Sequence, residues 1–178
     1  VGAFGPTGRG TEEITLRGAA DVLIATLGKA LGVNGGYATA SGTIIRYLRE
    51  TSPFYVYSNP ITPGEAAAAL AAVATVDSTE GRQLLTHLQA MASRFRKGLG
   101  ELGLETLPGD HPIVPLMVRD GARTARIVAA LRREGILVTA LSYPVVPQGE
   151  EEIRFQISAD HTPADIDAVL HALARGVR

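Results

Sequence analysis

The sequence predicts an α/β fold in two parts, and three observations carry that expectation. Short apolar or β-branched runs alternate with longer segments of helical period, the pattern of strands layered against helices. A fresh helix-start signal at Asp77-Ser78-Thr79-Glu80 interrupts the helical stretch near the middle and divides the chain into residues 1–77 and 78–178. With 178 residues and 46% hydrophobic content, the chain can bury a proper core, as one domain or as two small ones.

From Gly2 to Gly18 no period of two or 3.6 holds, and glycine and threonine dominate, so this segment reads as a long loop. Asp21 to Ala25 is an apolar strand that runs into Thr26-Leu27-Gly28-Lys29-Ala30-Leu31-Gly32. Gly35 to Ala40 reads as a second short strand and Thr43 to Glu50 as a helix. Phe54-Tyr55-Val56-Tyr57, aromatic and β-branched, predicts a third strand with Ser58 at its end. Thr62-Pro63-Gly64-Glu65 joins a threonine cap, a proline at the first helical position and a glutamate placed to close a capping box, predicting a helix over 63–76. That helix is alanine and valine on nearly every side, the composition of one buried against other helices or a subunit partner.

In the second part, Leu84, Leu88, Met91, Phe95 and Leu99 recur at helical spacing and predict a helix to about Leu102. A strand (Ile113 to Val118), a helix (Thr124 to Glu134), two strands (Leu137 to Leu141, Ile153 to Ser158) and a last helix capped by Thr162-Pro163 complete the layer.

Composition narrows the function classes. A formal charge of −1 with scattered basic residues leaves no footprint for nucleic acid and no polybasic stripe for a membrane surface, so small-molecule partners are expected. The longest apolar stretch, Ala66 to Val76, is too short to span a bilayer, and no signal-like segment opens the chain. The absence of cysteine removes disulfides and thiolate chemistry and agrees with a reducing, cytoplasmic setting. No histidine spacing suits a metal, and no G-x-S-x-G elbow is present. Gly8-Arg9-Gly10 does not extend to a dinucleotide fingerprint, because Glu13 stands at the third glycine. Lys29 does not belong to a phosphate loop, because Leu23 and Ala30 replace the required glycine and hydroxyl residue.

Lys29 is the first candidate for chemistry. A strand that feeds a tight, glycine-flanked turn can hold an amine rigidly in a cleft, where small neighbours leave room for a bound ring and the amine can form a Schiff base. A solvated turn lysine is the competing reading. Thr26, three residues earlier, can offer its hydroxyl to a phosphate or simply close the turn. Ser58 and Asn59, just before a helix N-terminus, suit either a phosphate clamp or ordinary turn chemistry. Strand alternation sends Ile153, Phe155 and Ile157 to one face and Arg154, Gln156 and Ser158 to the other, so Arg154 can present its planar fork to a carboxylate. The alternative is a solvated Arg154 paired with Glu151 or Glu152. His161, beside Asp160 near a helix start, reads as structural.

Lys29 in its heptapeptide, Gly35-Gly36-Tyr37, Tyr57-Ser58-Asn59-Pro60, Ser142-Tyr143-Pro144-Val145-Val146-Pro147 and Ile153-Arg154-Phe155-Gln156-Ile157-Ser158-Ala159-Asp160-His161-Thr162 occur in an order and at separations that resemble the α-oxoamine synthase family of pyridoxal-phosphate (PLP) enzymes. The likeness covers nearly the whole chain and leans toward the glycine C-acetyltransferase branch. It implies the C-terminal part of a fold type I PLP transferase: the end of the large cofactor domain in residues 1–77, then a small α/β domain in 78–178.

The resemblance further implies pyridoxal 5'-phosphate held by Lys29, with Thr26, Ser58 and Asn59 at its phosphate and Arg154 on the amino-acid carboxylate. It also implies amino acid and acyl-CoA substrates, a homodimer in which Ser58 and Asn59 reach the neighbouring site, and a substrate entrance lined by Tyr143 to Pro147. The expected reaction joins glycine to acetyl-CoA. Alanine with a pimeloyl-type donor, as in 8-amino-7-oxononanoate synthase, and a non-catalytic dimerisation fragment are the alternatives. The family's aspartate and histidine that hold the pyridine ring would precede Val1, and neither is in this sequence. Ile61-Thr62-Pro63 also stands where the family tends to have a leucine-proline-proline pattern, so the resemblance does not fix the shape of the turn after Asn59.

Overall fold

The computed structural model describes residues 1–15 and 18–176, so Leu16 and Arg17 of the expected first loop lie outside the described residues. The chain forms two compact units, Val1–Leu85 and Thr86–Arg178. Their division falls inside a helix, a few residues beyond the helix break at Asp77.

In the first unit a short helix α1 (Thr11–Ile14) interrupts the expected loop. Its Glu13 explains why this turn forms: the carboxylate accepts the Thr7 and Arg9 backbone N–H groups at 2.9 and 3.2 Å and the Thr7 hydroxyl at 2.6 Å. Strands β1 (Val22–Thr26) and β2 (Gly36–Ala40) then pair antiparallel, Val22 opposite Ala40 and Thr26 opposite Gly36. Helix α2 (Gly42–Thr51) follows, capped by the Ser41 hydroxyl.

The expected strand at Phe54 to Tyr57 is instead a short helix, α3 (Pro53–Val56). Pro53 at its first position sets a helical φ, and Ser52 O accepts from the Tyr55 and Val56 N–H groups. The aromatic residues gave a strand signal because such propensity measures fit to a half-buried sheet face. Here Phe54 is 90% and Tyr57 88% exposed, and the segment pairs with no strand among the described residues.

Helix α4 (Pro63–Val76) has the expected bounds and the expected capping box: Thr62 Oγ1 accepts from Glu65 N and Glu65 Oε2 from Thr62 N. Its burial differs from expectation. No residue of α4 is fully buried; Ala69, Ala72 and Val76 form a single stripe that packs inside the unit, while Leu70 and Val73 face outward.

Helix α5 (Thr79–Glu101) runs on into the second unit, where Met91, Phe95 and Leu99 recur every four residues on its buried face. The sheet there has the order β3-β5-β4, wholly antiparallel, with β3 (Ile113–Met117) and β4 (Thr139–Leu141) flanking β5 (Glu152–Gln156). Pro115 is tolerated because β3 is an edge strand. Helix α6 (Gly121–Arg133) is capped by Asp120 and buries Thr124, Ile127 and Leu131. Helix α7 (Pro163–Gly176) buries Ile166, Ala172 and Leu173, and its start is tied by reciprocal bonds between Thr162 and Asp165.

The faces of α5, α6 and α7 meet Val114, Leu116, Ile153 and Phe155 of the sheet in one core. Phe95 and Phe155 are tilted rings 4.8 Å apart at its centre. Each such side chain contributes about 1.5–3 kcal/mol by leaving water, which fixes β5 and therefore whatever its other face presents.

Candidate active site

The Lys29 turn is the connection between β1 and β2, and its rigidity can be traced bond by bond. Leu27 N–H donates to Gly35 O at 2.9 Å, Val33 N–H to Leu27 O at 3.1 Å and Gly32 N–H to Lys29 O at 3.0 Å. Leu27, Leu31 and Val33 are buried against Tyr37 and the Ala69, Ala72 and Val76 stripe of α4. The apolar anchors thus point inward, and Gly28, Lys29 and Ala30 between them are left exposed.

Small residues are required around this turn. A Cβ on Gly36 would lie 2.9 Å from Ala25 O, and one on Gly35, where φ is +104°, would lie 2.6 Å from the Ile61 side chain. A Cβ on Gly2, at φ +92°, would come within 2.8 Å of Ala30 Cβ. The N-terminal segment therefore lies close along the lysine turn. Asn34 closes the other side: its Nδ2 donates to Glu65 Oε1 at 2.9 Å, tying the turn to the start of α4. The Thr62 backbone N–H, then Asn34 and the Thr62 hydroxyl hold the Glu65 carboxyl below the usual carboxylate range.

Two of the expected site residues meet directly, Lys29 Nζ donating to Thr26 Oγ1 at 3.2 Å. The hydroxyl accepts there and keeps its own proton to donate. Within the described residues Lys29 is exposed, so the expected enclosure of this amine in a cleft is not found in this chain alone. Ser58 and Asn59 are exposed on the connection between α3 and α4. They follow a helix rather than the expected strand, and among the described residues their side chains make no hydrogen bond.

In the second unit Arg154 stands on β5 opposite Pro115 and Thr139. Alternation works as expected: Ile153 and Phe155 enter the core, while Arg154 lies half-buried on the other face. Arg154 Nη2 donates to Glu152 Oε1 at 3.2 Å, and among the described residues the buried Nε has no hydrogen-bond partner. Glu151 is engaged elsewhere, its carboxylate accepting from Gly149 N–H at 3.1 Å. Of the two glutamates sequence reasoning offered to Arg154, the structure selects Glu152.

His161 Nδ1 accepts from Ser158 N–H and its carbonyl faces His87 Nε2 at 2.8 Å, the local turn bonding expected of a structural histidine. Ser142 O accepts from Val145 and Val146, folding Tyr143 to Pro147 into an exposed turn in which Tyr143 and Val145 face outward. Sequence reasoning missed Asn34 and the unpartnered Arg154 Nε. The Asn34 bond to Glu65 spans 31 residues and leaves no local signal, and a missing partner is a property of packing alone.

The donor set suits a phosphate-bearing aldehyde: a primary amine on a fixed turn, a hydroxyl beside it with a proton to donate, and exposed short polar side chains before a helix N-terminus.

Comparison with known proteins agrees with these features. The aminotransferase class I and II family model matches residues 2–173. An 8-amino-7-oxononanoate synthase of Marinobacter nauticus is 40% identical over 98% of this chain and 44% of its own length. A 2-amino-3-ketobutyrate coenzyme A ligase of Escherichia coli is 38% identical over the same shares. The chain thus spans somewhat under half the length of these relatives. Among solved structures, SPT with a PLP internal aldimine superposes with a TM-score of 0.92 at 27% identity, covering 99% of this chain and 44% of that one. A serine palmitoyltransferase of S. paucimobilis with a bound PLP–myriocin aldimine has a TM-score of 0.90 at 26% identity, with the same coverage. With this family match over nearly its whole length, the chain belongs to the aminotransferase class I and II family, in its α-oxoamine synthase branch.

Proposed function

We propose that this chain is the C-terminal part of a PLP-dependent acyltransferase that condenses glycine with acetyl-CoA to give 2-amino-3-oxobutyrate and CoA. Residues 1–77 would form the end of its large cofactor domain and 78–178 its small domain. The observation that carries the reading is the contact of Lys29 Nζ with Thr26 Oγ1 on a turn pinned by Leu27, Leu31 and Val33. When bound, PLP supplies an aldehyde for an amine and an electron sink for charge developing at the amino acid's Cα.

Lys29 would hold the cofactor when it is bound, and its amine would act as the base for the amino acid's Cα proton. The Thr26 hydroxyl, with Ser58 and Asn59, donates to the phosphate, and in a homodimer Ser58 and Asn59 serve the neighbouring site. Arg154 binds and orients the amino-acid carboxylate. No helix among the described residues is long and apolar enough to cross a membrane.

The reading is tested on the full-length protein by borohydride reduction with PLP followed by peptide mapping. A reduced adduct on Lys29, absent from Lys29→Ala, is expected; a protein that takes up no PLP, or takes it up at another lysine, refutes the proposal and leaves the non-catalytic dimerisation fragment. The 40% identity to an 8-amino-7-oxononanoate synthase favours a second substrate pair, alanine with a pimeloyl-type donor. CoA release from glycine with acetyl-CoA, set against alanine with pimeloyl-CoA, decides between the two.

A further inference from the structure

Among the described residues four arginines of the second unit meet carboxylates, two through a pair of nitrogens and two, Arg154 and Arg175, through Nη2 alone, and of the four only Arg154 has its Nε buried and unpaired. Arg94 donates through Nε and Nη2 to the two oxygens of Asp167 at 2.9 and 2.7 Å. Arg119 uses the same pair of nitrogens on Glu105 at 3.1 and 2.5 Å. Both are two-point contacts along one edge of the guanidinium. Arg154 offers Glu152 only Nη2, at 3.2 Å, and the Nε of that same edge is buried with no partner among the described residues. Strand geometry gives the reason. Glu152 and Arg154 are two residues apart on one face of β5, about 6.6 Å along the strand, so the glutamate reaches the guanidinium from along the strand and meets it at one corner.

A buried donor left unpaired is costly, and a carboxylate arriving from outside can satisfy Nε and Nη2 together, as Asp167 and Glu105 do for their arginines. We propose that Glu152 is an internal stand-in for the substrate carboxylate: it occupies one corner of Arg154 while the amino acid is absent and is displaced when a free carboxylate takes the whole edge. This rests on Arg154 as the carboxylate binder, and it adds a competitor that lowers the affinity of that seat. The Glu152 side chain is 11% exposed against 40% for Arg154, so the arginine is the more open partner and the glutamate is the one shielded against the strand. The pair also leaves the empty seat close to neutral, so a carboxylate that enters must win an exchange and does not meet a bare cation.

The sign of a substitution separates this role from a structural one. In the full-length protein, arginine labelled with nitrogen-15 reports the Arg154 Nε–H resonance, assigned by its loss in Arg154→Lys, and acetate is the probe. In the unaltered protein that resonance should shift as acetate saturates the seat. Glu152→Gln should bind acetate more tightly, on the order of fivefold, the scale expected for removing one single-point ion pair whose arginine is partly exposed. Glu152→Ala should move affinity in the same direction and serves if the glutamine variant does not fold. Weaker or unchanged acetate binding in the variants, or no response of the resonance in the unaltered protein, overturns the proposal. A separate arm follows the absorbance of the PLP-loaded protein on adding glycine. Its failure alone would refute the proposed reaction while the acetate result still decides the role of Glu152.

Discussion

Gly81 and Gly100 lie on the same helix, α5, and replacing each with alanine should change stability in opposite directions. Intrinsic helix propensity favours alanine over glycine by roughly 0.5–1 kcal/mol at an interior position. At Gly100 nothing stands within 4 Å of the added Cβ and the residue is exposed, so Gly100→Ala should gain most of that amount. At Gly81 the Cβ would lie 2.3 Å from Thr75 O, 2.4 Å from Val76 O and 2.7 Å from Val76 C. These are backbone atoms at the end of α4, so no rotamer change relieves them, and the corner between the helices must open. Overpacking of this kind costs about 1–3 kcal/mol; after the propensity gain is subtracted, Gly81→Ala should lose about 0.5–2 kcal/mol. Urea unfolding followed by far-UV circular dichroism, with equal m-values in the two variants, reads the difference. A Gly81→Ala protein as stable as Gly100→Ala would refute the claim that backbone contact at this corner dictates glycine. Val76 also packs on Leu27, Leu31 and Val33, so the same variant should loosen the Lys29 turn and lower the rate of borohydride-trapped adduct formation.

Other outcomes follow from the same contacts. Phe95→Ala, which removes a fully buried ring against Phe155, should cost about 3–5 kcal/mol in the same unfolding assay. Asp120→Ala, which removes the α6 cap bond to Arg123 N, should cost about 0.5–2 kcal/mol. Thr26→Ala should weaken PLP binding about tenfold or more, the scale of a lost hydrogen bond to a charged group, read by absorbance titration. Glu65 has a carboxyl pKa depressed mainly by the Thr62 N–H, so its contribution to stability is whole above the unfolded value of about 4.3 and is lost as pH falls through the folded value. Glu65→Gln should therefore flatten the fall in stability below about pH 5, measured as unfolding midpoints across an acid series.

What could be read in advance was what repeats locally. The capping box of Thr62 and Glu65, the four-residue recurrence of Met91, Phe95 and Leu99, and the two-residue alternation at Ile153 and Phe155 each depend on neighbours along the chain, and each was found where its period placed it. Phe54 to Tyr57 misled because aromatic content signals a sheet only when a sheet edge is there to receive it, and Pro53 with Ser52 decided the backbone first. Glu13 turned an apparently irregular loop into a helical turn through bonds to Thr7 and Arg9 that no period reveals. The exposure of Lys29 and the unpaired Nε of Arg154 depend on what surrounds a side chain in space, which residue order does not encode at short range.

Lys29 and Arg154 stand on elements of different kind, yet each is held by the same device. On the lysine turn Leu27 and Leu31 are buried while Lys29 between them points away; on β5 Ile153 and Phe155 are buried while Arg154 between them points away. In both cases a polar group is fixed by apolar neighbours on either side of it in sequence, so its position costs no hydrogen bond of its own and its donors stay free for a ligand. The two differ in what fills the donors meanwhile: Lys29 is met by a neutral hydroxyl, Arg154 by a carboxylate. An amine that must form a covalent bond is better left beside a weak partner, because a paired carboxylate would hold it protonated and unreactive. An arginine never has to lose its proton, so a charged stand-in blocks nothing but affinity. Exchanging the two environments with Thr26→Asp, read with pyridoxal, which carries no phosphate for Thr26 to hold, should therefore slow adduct formation at Lys29 far more than Glu152→Gln alters carboxylate binding, and equal effects would show that the nature of the resting partner does not matter.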